Sequence, residues 1–445
     1  LIAVVLATVA AGAGAAELSS RRAYDLIAQL FSDDASVRRA ARDTLIAAAD
    51  RSLAPALLEV MFFSRAGRPD AAAVLETLLG ERHGTSYKLW IEAIGRREEI
   101  VPKKGYAAFK ASQYARIDPA FAAFFREAAP RTIRLEEVVS GGVRKDGIPS
   151  LENPRVIPAA RAEYLTEDET VFGVRSGGVA RAYPQRILDW HEMVNDRIAG
   201  RHVSLAYCTL CGSPILYETA IGPGEVYTFG SSGLLYRSNK LMYDRQTNSL
   251  WSHLTGEPVI GPLVGKGKKL RVLPMTITTW REWRTRHPGT EVLSLDTGHM
   301  RDYRPGAAYG AYFASEGTMF PVWKRSAALE AKEWIYVVET AKGRKIYPLQ
   351  ALVARPLLTD SIRGDAVLIL TDPKSESVRA YAIGSRRFTR DGDALVDSSA
   401  GERFMTEEEA LVSPGGTRLE RLPAVRAYWF GWYGIHPGTE IYRSE

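Results

Sequence analysis

The chain has 445 residues, 46% hydrophobic and 10% aromatic, and a formal charge of +6 at pH 7. That apolar share supports packed cores in more than one domain and excludes a disordered or low-complexity chain. Its 58 basic residues are scattered among 52 acids without a Lys/Arg block, which argues against a nucleic-acid partner.

Residues 1–16, "LIAVVLATVAAGAGAA", form an apolar run that breaks into alanine and glycine ahead of Glu17. This is the pattern of a secretory signal and predicts a periplasmic or secreted protein. The run is too short to span a bilayer, and no later stretch is long and apolar enough, so no membrane span is expected.

Residues 17–130 carry helical periodicity. "DDASVRRAARDTLIAAAD" (33–50) puts Val37, Ala40, Ala41 and Leu45 on one face behind two acidic residues. "VRRAARDTL" resembles a HEAT-type helical hairpin, which predicts an all-α helical-hairpin domain that packs against its surroundings or recruits a protein partner. Residues 131–167 are rich in Gly, Pro, Ser and Asn and read as a linker and lead-in segment.

The remainder is duplicated. "TVFGVRSGGVARAYPQRILDWHEMVNDRIAGRHVSLAY" aligns with "WIYVVETAKGRKIYPLQALVARPLLTDSIRGDAVLIL", setting Tyr183 opposite Tyr347, Asp196 opposite Asp360 and Gly200 opposite Gly364. The ends align as well, with Trp280, Trp283 and His287 opposite Trp429, Trp432 and His436. Two strand-rich α+β repeats are expected, at 168–295 and 334–445, joined by a connector at 296–333. Features shared by the copies are expected to serve the fold, and features held by one copy are candidates for chemistry. His191 faces Arg355 and Cys208 faces Asp372. On that reasoning the first repeat holds the site and the second is a degenerate scaffold.

Cys208 and Cys211, in "AYCTLCGSP", are the only cysteines. They fall between "RHVSLAY" and "PILYE", two strand patterns, with Gly212 directly after. A thioredoxin-type pair opens a helix that lowers a thiol pKa; here Gly-Ser-Pro intervenes, and the shape is that of a metal knuckle. Closing such a site takes a further ligand. His191 is the first candidate, with His202, His253, His299 and Met242 behind it. The competing reading for His191 is a satisfied core histidine. "HEMVN" (191–195) lacks the second histidine of a zincin, since Asn195 stands there, although Glu192 could act as a base.

A third dense stretch, 230–256, gathers Tyr236, Asp244, Arg245 and Trp251 as candidate substrate-binding residues. "DGIPSLENP", "ARAYPQRILDWHEMVND", "YCTLCGSPILYE" and "GLLYRSNKLMYDRQTNSLWS" together resemble the bacterial domain of unknown function 3179 over about residues 135–445. The resemblance points to His191, Cys208, Cys211, Asp244, Arg245 and Trp251, and it implies no activity.

The leading expectation is an exported metal-binding protein. Copper or zinc would be held by Cys208, Cys211 and His191, and the site would serve an uncharacterised metal-dependent oxidoreductase with a small-molecule substrate or a metal donor as partner. The alternatives are a thiol-disulfide redox protein using the same pair, and a non-catalytic ligand-binding module.

Overall fold

The computed structural model describes residues 18–443, so the signal expected at 1–16 lies outside the described residues. The chain divides into two compact units. The first holds the described residues up to Arg116 with Phe125–Glu127, and the second holds Ile117–Phe124 and everything from Ala128 onward.

The first unit is all α. Its helices are Ser20–Gln29, Ala35–Ala48, Ala54–Phe63, Arg68–Leu79, Tyr87–Gly95 and Tyr106–Tyr114. Ser19, Asp34 and Ser86 cap three of them by accepting amide protons of the first turn. Helix Ala54–Phe63 is buried nearly all round, as a central helix must be when its neighbours cover every face. Its Glu59 Oε1 meets Lys110 at 2.6 Å and the Tyr106 hydroxyl at 2.7 Å, so the buried carboxylate is paired with a buried cation.

The second unit is strand-rich and carries the duplication in its topology. Strand Thr170–Ser176 pairs antiparallel with Val179–Pro184 and with Thr276–Thr279, and Val179–Pro184 pairs parallel with Glu291–Leu293. In the second repeat Trp334–Glu339 pairs antiparallel with Arg344–Pro348 and with Ala424–Tyr428, and Arg344–Pro348 pairs parallel with Glu440–Ile441. Each strand pair is followed by a short helix, Gln185–His191 or Leu349–Ala354, entered at a proline. The closing helices Trp280–Arg286 and Trp429–Ile435 also match. Trp283 Nε1 donates to Thr290 at 2.9 Å and Trp432 Nε1 to Thr439 at 3.0 Å. Gly173 is required beneath the first of these, because a Cβ there would lie 2.2 Å from the Trp283 ring.

The segment expected to be a linker is woven into the sheets. Val138–Ser140 pairs with Phe229–Tyr236, Leu151–Glu152 with Met193–Ile198, and Val156–Pro158 with Glu291–Leu293. Strands of two or three residues leave no periodic signature, which is why the sequence reads as loop. No helix among the described residues is long and apolar enough to cross a membrane.

Candidate functional site

Strands Arg201–Cys208 and Ser213–Glu218 are antiparallel, with Cys208 opposite Ser213, so the Cys-x-x-Cys segment is the turn at their tip. The turn closes through the Cys211 amide to the Cys208 carbonyl at 3.2 Å. Gly212 has φ +60°, and a Cβ there would meet the Trp334 ring at 2.3 Å, so both the conformation and the space call for glycine. The thiol of Cys208 donates to Cys211 Sγ at 2.8 Å, and Cys211 donates to the Ser238 carbonyl at 3.2 Å. Both cysteines are buried, at 1% and 0% exposure. Burial pushes the Cys211 thiol well above its ordinary value, with Cys208 and the Glu192 charge adding to it.

His191 stands apart from this pair. It ends helix Gln185–His191, is fully buried, and has both ring nitrogens engaged. Nδ1 meets the Pro149 carbonyl at 2.8 Å and Nε2 the Tyr303 hydroxyl at 2.6 Å. A carbonyl only accepts, so Nδ1 carries the proton and Nε2 accepts from Tyr303. Burial lowers its pKa to about 4, with His299 and Arg301 opposing protonation further. His253 is likewise engaged, Nε2 with Ser213 Oγ at 2.8 Å and Nδ1 with the Lys240 carbonyl at 3.2 Å. Among the described residues no group of three or more His, Cys, Asp or Glu side chains is placed to hold a metal ion. Two thiolates sharing a tetrahedral zinc at about 2.3 Å would be about 3.7 Å apart, wider than the separation here. The donor set therefore does not fit the expected three-ligand copper or zinc site.

What surrounds the turn instead is a buried acid-base cluster. Glu192, in the left-handed region at φ +55°, turns its carboxylate to Lys240 Nζ at 2.7 Å and to Thr209 Oγ1 at 3.3 Å. Thr209 lies inside the Cys-x-x-Cys turn. Asp189 is buried, and its Oδ1 has no partner among the described residues. Burial raises its carboxyl to about 7, and the Glu192 charge adds to the shift.

Two walls of the site escape the sequence reading. The second repeat closes on the turn: the Tyr428 amide donates to the Cys211 carbonyl at 2.7 Å, and a Cβ on Gly431 would meet Cys211 Cβ at 2.9 Å. It is thus more than the scaffold expected of it. The connector covers the turn through Tyr312, whose hydroxyl donates to the Leu210 carbonyl at 2.6 Å. Lys332 Nζ in turn holds the Ser315 carbonyl at 2.6 Å and the Tyr312 carbonyl. Tyr312 lies about a hundred residues beyond the cysteines in no motif that could have flagged it, whereas Lys240 falls inside "GLLYRSNKLMYDRQTNSLWS" and only its pairing with Glu192 is invisible in the sequence.

The four candidate substrate residues are committed elsewhere. Asp244 Oδ2 accepts from Trp251 Nε1 at 2.9 Å and from the Ser249 amide at 3.1 Å, fixing the hairpin that both belong to. Arg245 reaches Asp146 at 3.2 Å, Tyr243 at 2.6 Å and Ser150 at 2.9 Å. Tyr236 lies beneath the Arg237 guanidinium, which sits 5.1 Å from the centre of its ring. None of these contacts reaches the cysteines.

Residues 145–439 match a family model described as a protein of unknown function, DUF3179. The chain belongs to the DUF3179 family. The match takes in both repeats and the connector, so the cysteine turn and the walls that close on it lie inside the family domain. The helical unit precedes it. No curated protein and no solved structure matches the chain.

Proposed function

We propose that this DUF3179 protein is a thiol-disulfide redox protein, with Cys208 and Cys211 cycling between dithiol and disulfide. The observation that carries this reading is the 2.8 Å approach of the two sulfurs across a tight turn. Oxidation forms one S–S bond, and two electrons and two protons leave with an acceptor such as a low-molecular-weight disulfide. That acceptor becomes two thiols, by exchange through a mixed disulfide. The burial of both sulfurs favours a small acceptor over a protein surface.

Export belongs to the same reading. It is supported by the apolar opening stretch and by a chain that keeps only this pair of thiols, because an oxidising compartment is where two adjacent cysteines pair. Metal binding through the two sulfurs is the competing outcome. The test is equilibration of the purified protein in glutathione redox buffers, with free thiols and bound copper and zinc measured on the same samples. A reversible two-thiol transition without bound metal supports the proposal. Stoichiometric metal that is lost in Cys208→Ser, with no disulfide formed, overturns it.

A further inference from the structure

The wall that the second repeat sets against the cysteine turn carries a cation that the first repeat lacks. Equivalent strand pairs build this wall in the two copies. In the first, Thr170 lies opposite Thr279 and Phe172 opposite Ile277. In the second, Trp334 lies opposite Tyr428 and Tyr336 opposite Arg426. Directly opposed residues project from one face of a sheet. The second repeat thus presents an indole, two phenols and a guanidinium where the first presents two threonines, a phenylalanine and an isoleucine. Ile277 is 5% exposed and packs in a hydrophobic core, so the fold itself does not call for a charge at that position.

This face meets the cysteine turn. A Cβ on Gly212 would lie 2.3 Å from the Trp334 ring and 3.2 Å from the Tyr428 ring, and the two rings stack with their centres 4.0 Å apart. The Arg426 guanidinium lies over the indole, 4.4 Å from its centre. Its charge is felt at Tyr207, the residue before Cys208, where burial raises the hydroxyl pKa and Arg426 opposes the rise. Lys332 Nζ lies 5.1 Å from the centre of the Tyr428 ring. Lys332, Trp334 and Arg426 are half-buried, whereas Tyr312 and Tyr428 are buried, so these three form the rim where the cover of the turn meets solvent.

Neither cation of the rim is neutralised. The Arg426 side chain makes no hydrogen bond or ion pair among the described residues; its Nε is buried without a partner, and its terminal nitrogens are open to solvent. Lys332 holds only the carbonyls of Tyr312 and Ser315. Of the acids nearby, Glu192 is paired with Lys240 at 2.7 Å. Glu333 accepts the Glu330 amide at 3.3 Å, Glu376 is exposed, and neither pairs with Arg426 or Lys332. Burial raises the Asp189 carboxyl to about 7, so it carries a full charge only above neutral pH.

We infer that the cysteine pair acts on small disulfides that bear carboxylates, and that Arg426 is the group that holds the carboxylate end. The inference rests on the redox reading of the pair. A guanidinium grips a carboxylate through two parallel N–H···O bonds, and the indole beneath Arg426 limits where its fork can point. One cysteine thiolate attacks a substrate sulfur, and the first half of the substrate leaves. The second cysteine displaces the other half as the Cys208–Cys211 bond forms, so two carboxylate-bearing thiols depart, each with one of the two cysteine protons.

The test uses three disulfides with one skeleton and different end groups: dithiodipropionate, hydroxyethyl disulfide and cystamine, which are anionic, neutral and cationic. The oxidation rate of the reduced whole chain by each is divided by the rate at which that disulfide oxidises dithiothreitol. The corrected rates are expected to fall from the anionic to the cationic reagent by about tenfold or more, and added salt should narrow the spread. Arg426→Met should collapse the preference and Arg426→Lys should keep most of it. Both are expected to melt near the wild type, since the first repeat carries isoleucine at the same position. Rates that ignore the reagent's charge, or a preference that survives in Arg426→Met, overturn the inference and leave the redox reading standing. Failure of all three reagents to oxidise the pair overturns the redox reading and this inference with it.

Discussion

The hydroxyl of Tyr183 donates to Asp196 Oδ2 at 2.7 Å. The second repeat makes the same bond, from Tyr347 to Asp360 at 2.8 Å. It ties the strand before each short helix to the strand after it, which fixes the helix between. Tyr183 is fully buried, and Asp196 also receives Arg181 at 2.7 Å, so removing the hydroxyl leaves a charged acceptor short of one partner. Tyr183→Phe is expected to cost about 1–3 kcal/mol in urea unfolding. Tyr347→Phe is expected to cost less, because Asp360 is more exposed and is still held by Lys345.

These paired bonds explain how much was legible from the sequence. Residues that recur in both copies, Tyr183 and Tyr347 or Trp283 and Trp432, do the same structural work twice, and the alignment exposes them. The α-helical opening and the strand-rich body were equally readable, through period and turn chemistry. The surroundings of His191 were not. Its partners Pro149 and Tyr303 come from the lead-in segment and the connector, neither of which is duplicated. Tyr312 reaches the cysteine turn, and Lys240 reaches Glu192, only through tertiary packing, which no local pattern announces.

The ion pair of Glu192 and Lys240 gives a second test. Both side chains are largely buried. Lys240→Met strands the carboxylate and is expected to destabilise the protein by about 3–5 kcal/mol. Adding Glu192→Gln removes the stranded charge and should restore a good part of that loss, read as a non-additive double-mutant cycle in urea.

The cover over the turn predicts how fast the thiols react. Tyr312→Phe removes the bond to the Leu210 carbonyl, and Lys332→Met releases the segment that carries it. Each should speed labelling of Cys208 and Cys211 by a thiol reagent several-fold under native conditions, with little change in the unfolding midpoint. Unchanged labelling would show that the cover does not limit access.

Stability should rise with pH between about 4 and 6.5. Burial lowers His191 and His436 to about 4 and His253 to about 3, so the unfolded chain takes up their protons first as pH falls. Their contribution is full above the ordinary histidine value of about 6.5 and is lost as pH falls toward 4. Asp189 acts in the opposite sense. Its carboxyl, raised to about 7, keeps a proton that the unfolded chain releases near 3.8, so its contribution is lost as pH rises through 7. Asp189→Asn should therefore steepen the rise of stability between pH 4 and 6.5, measured as the urea midpoint across that range.

The most direct measurement is the intact mass of the protein after equilibration with oxidised glutathione, alongside Cys208→Ser and His191→Gln. The wild type is expected to lose two hydrogens, to regain them with reductant, and to bind no stoichiometric metal. His191→Gln should behave the same way, whereas Cys208→Ser should not. A wild type that keeps both thiols free under oxidising conditions, or holds copper or zinc that both variants release, would contradict this expectation.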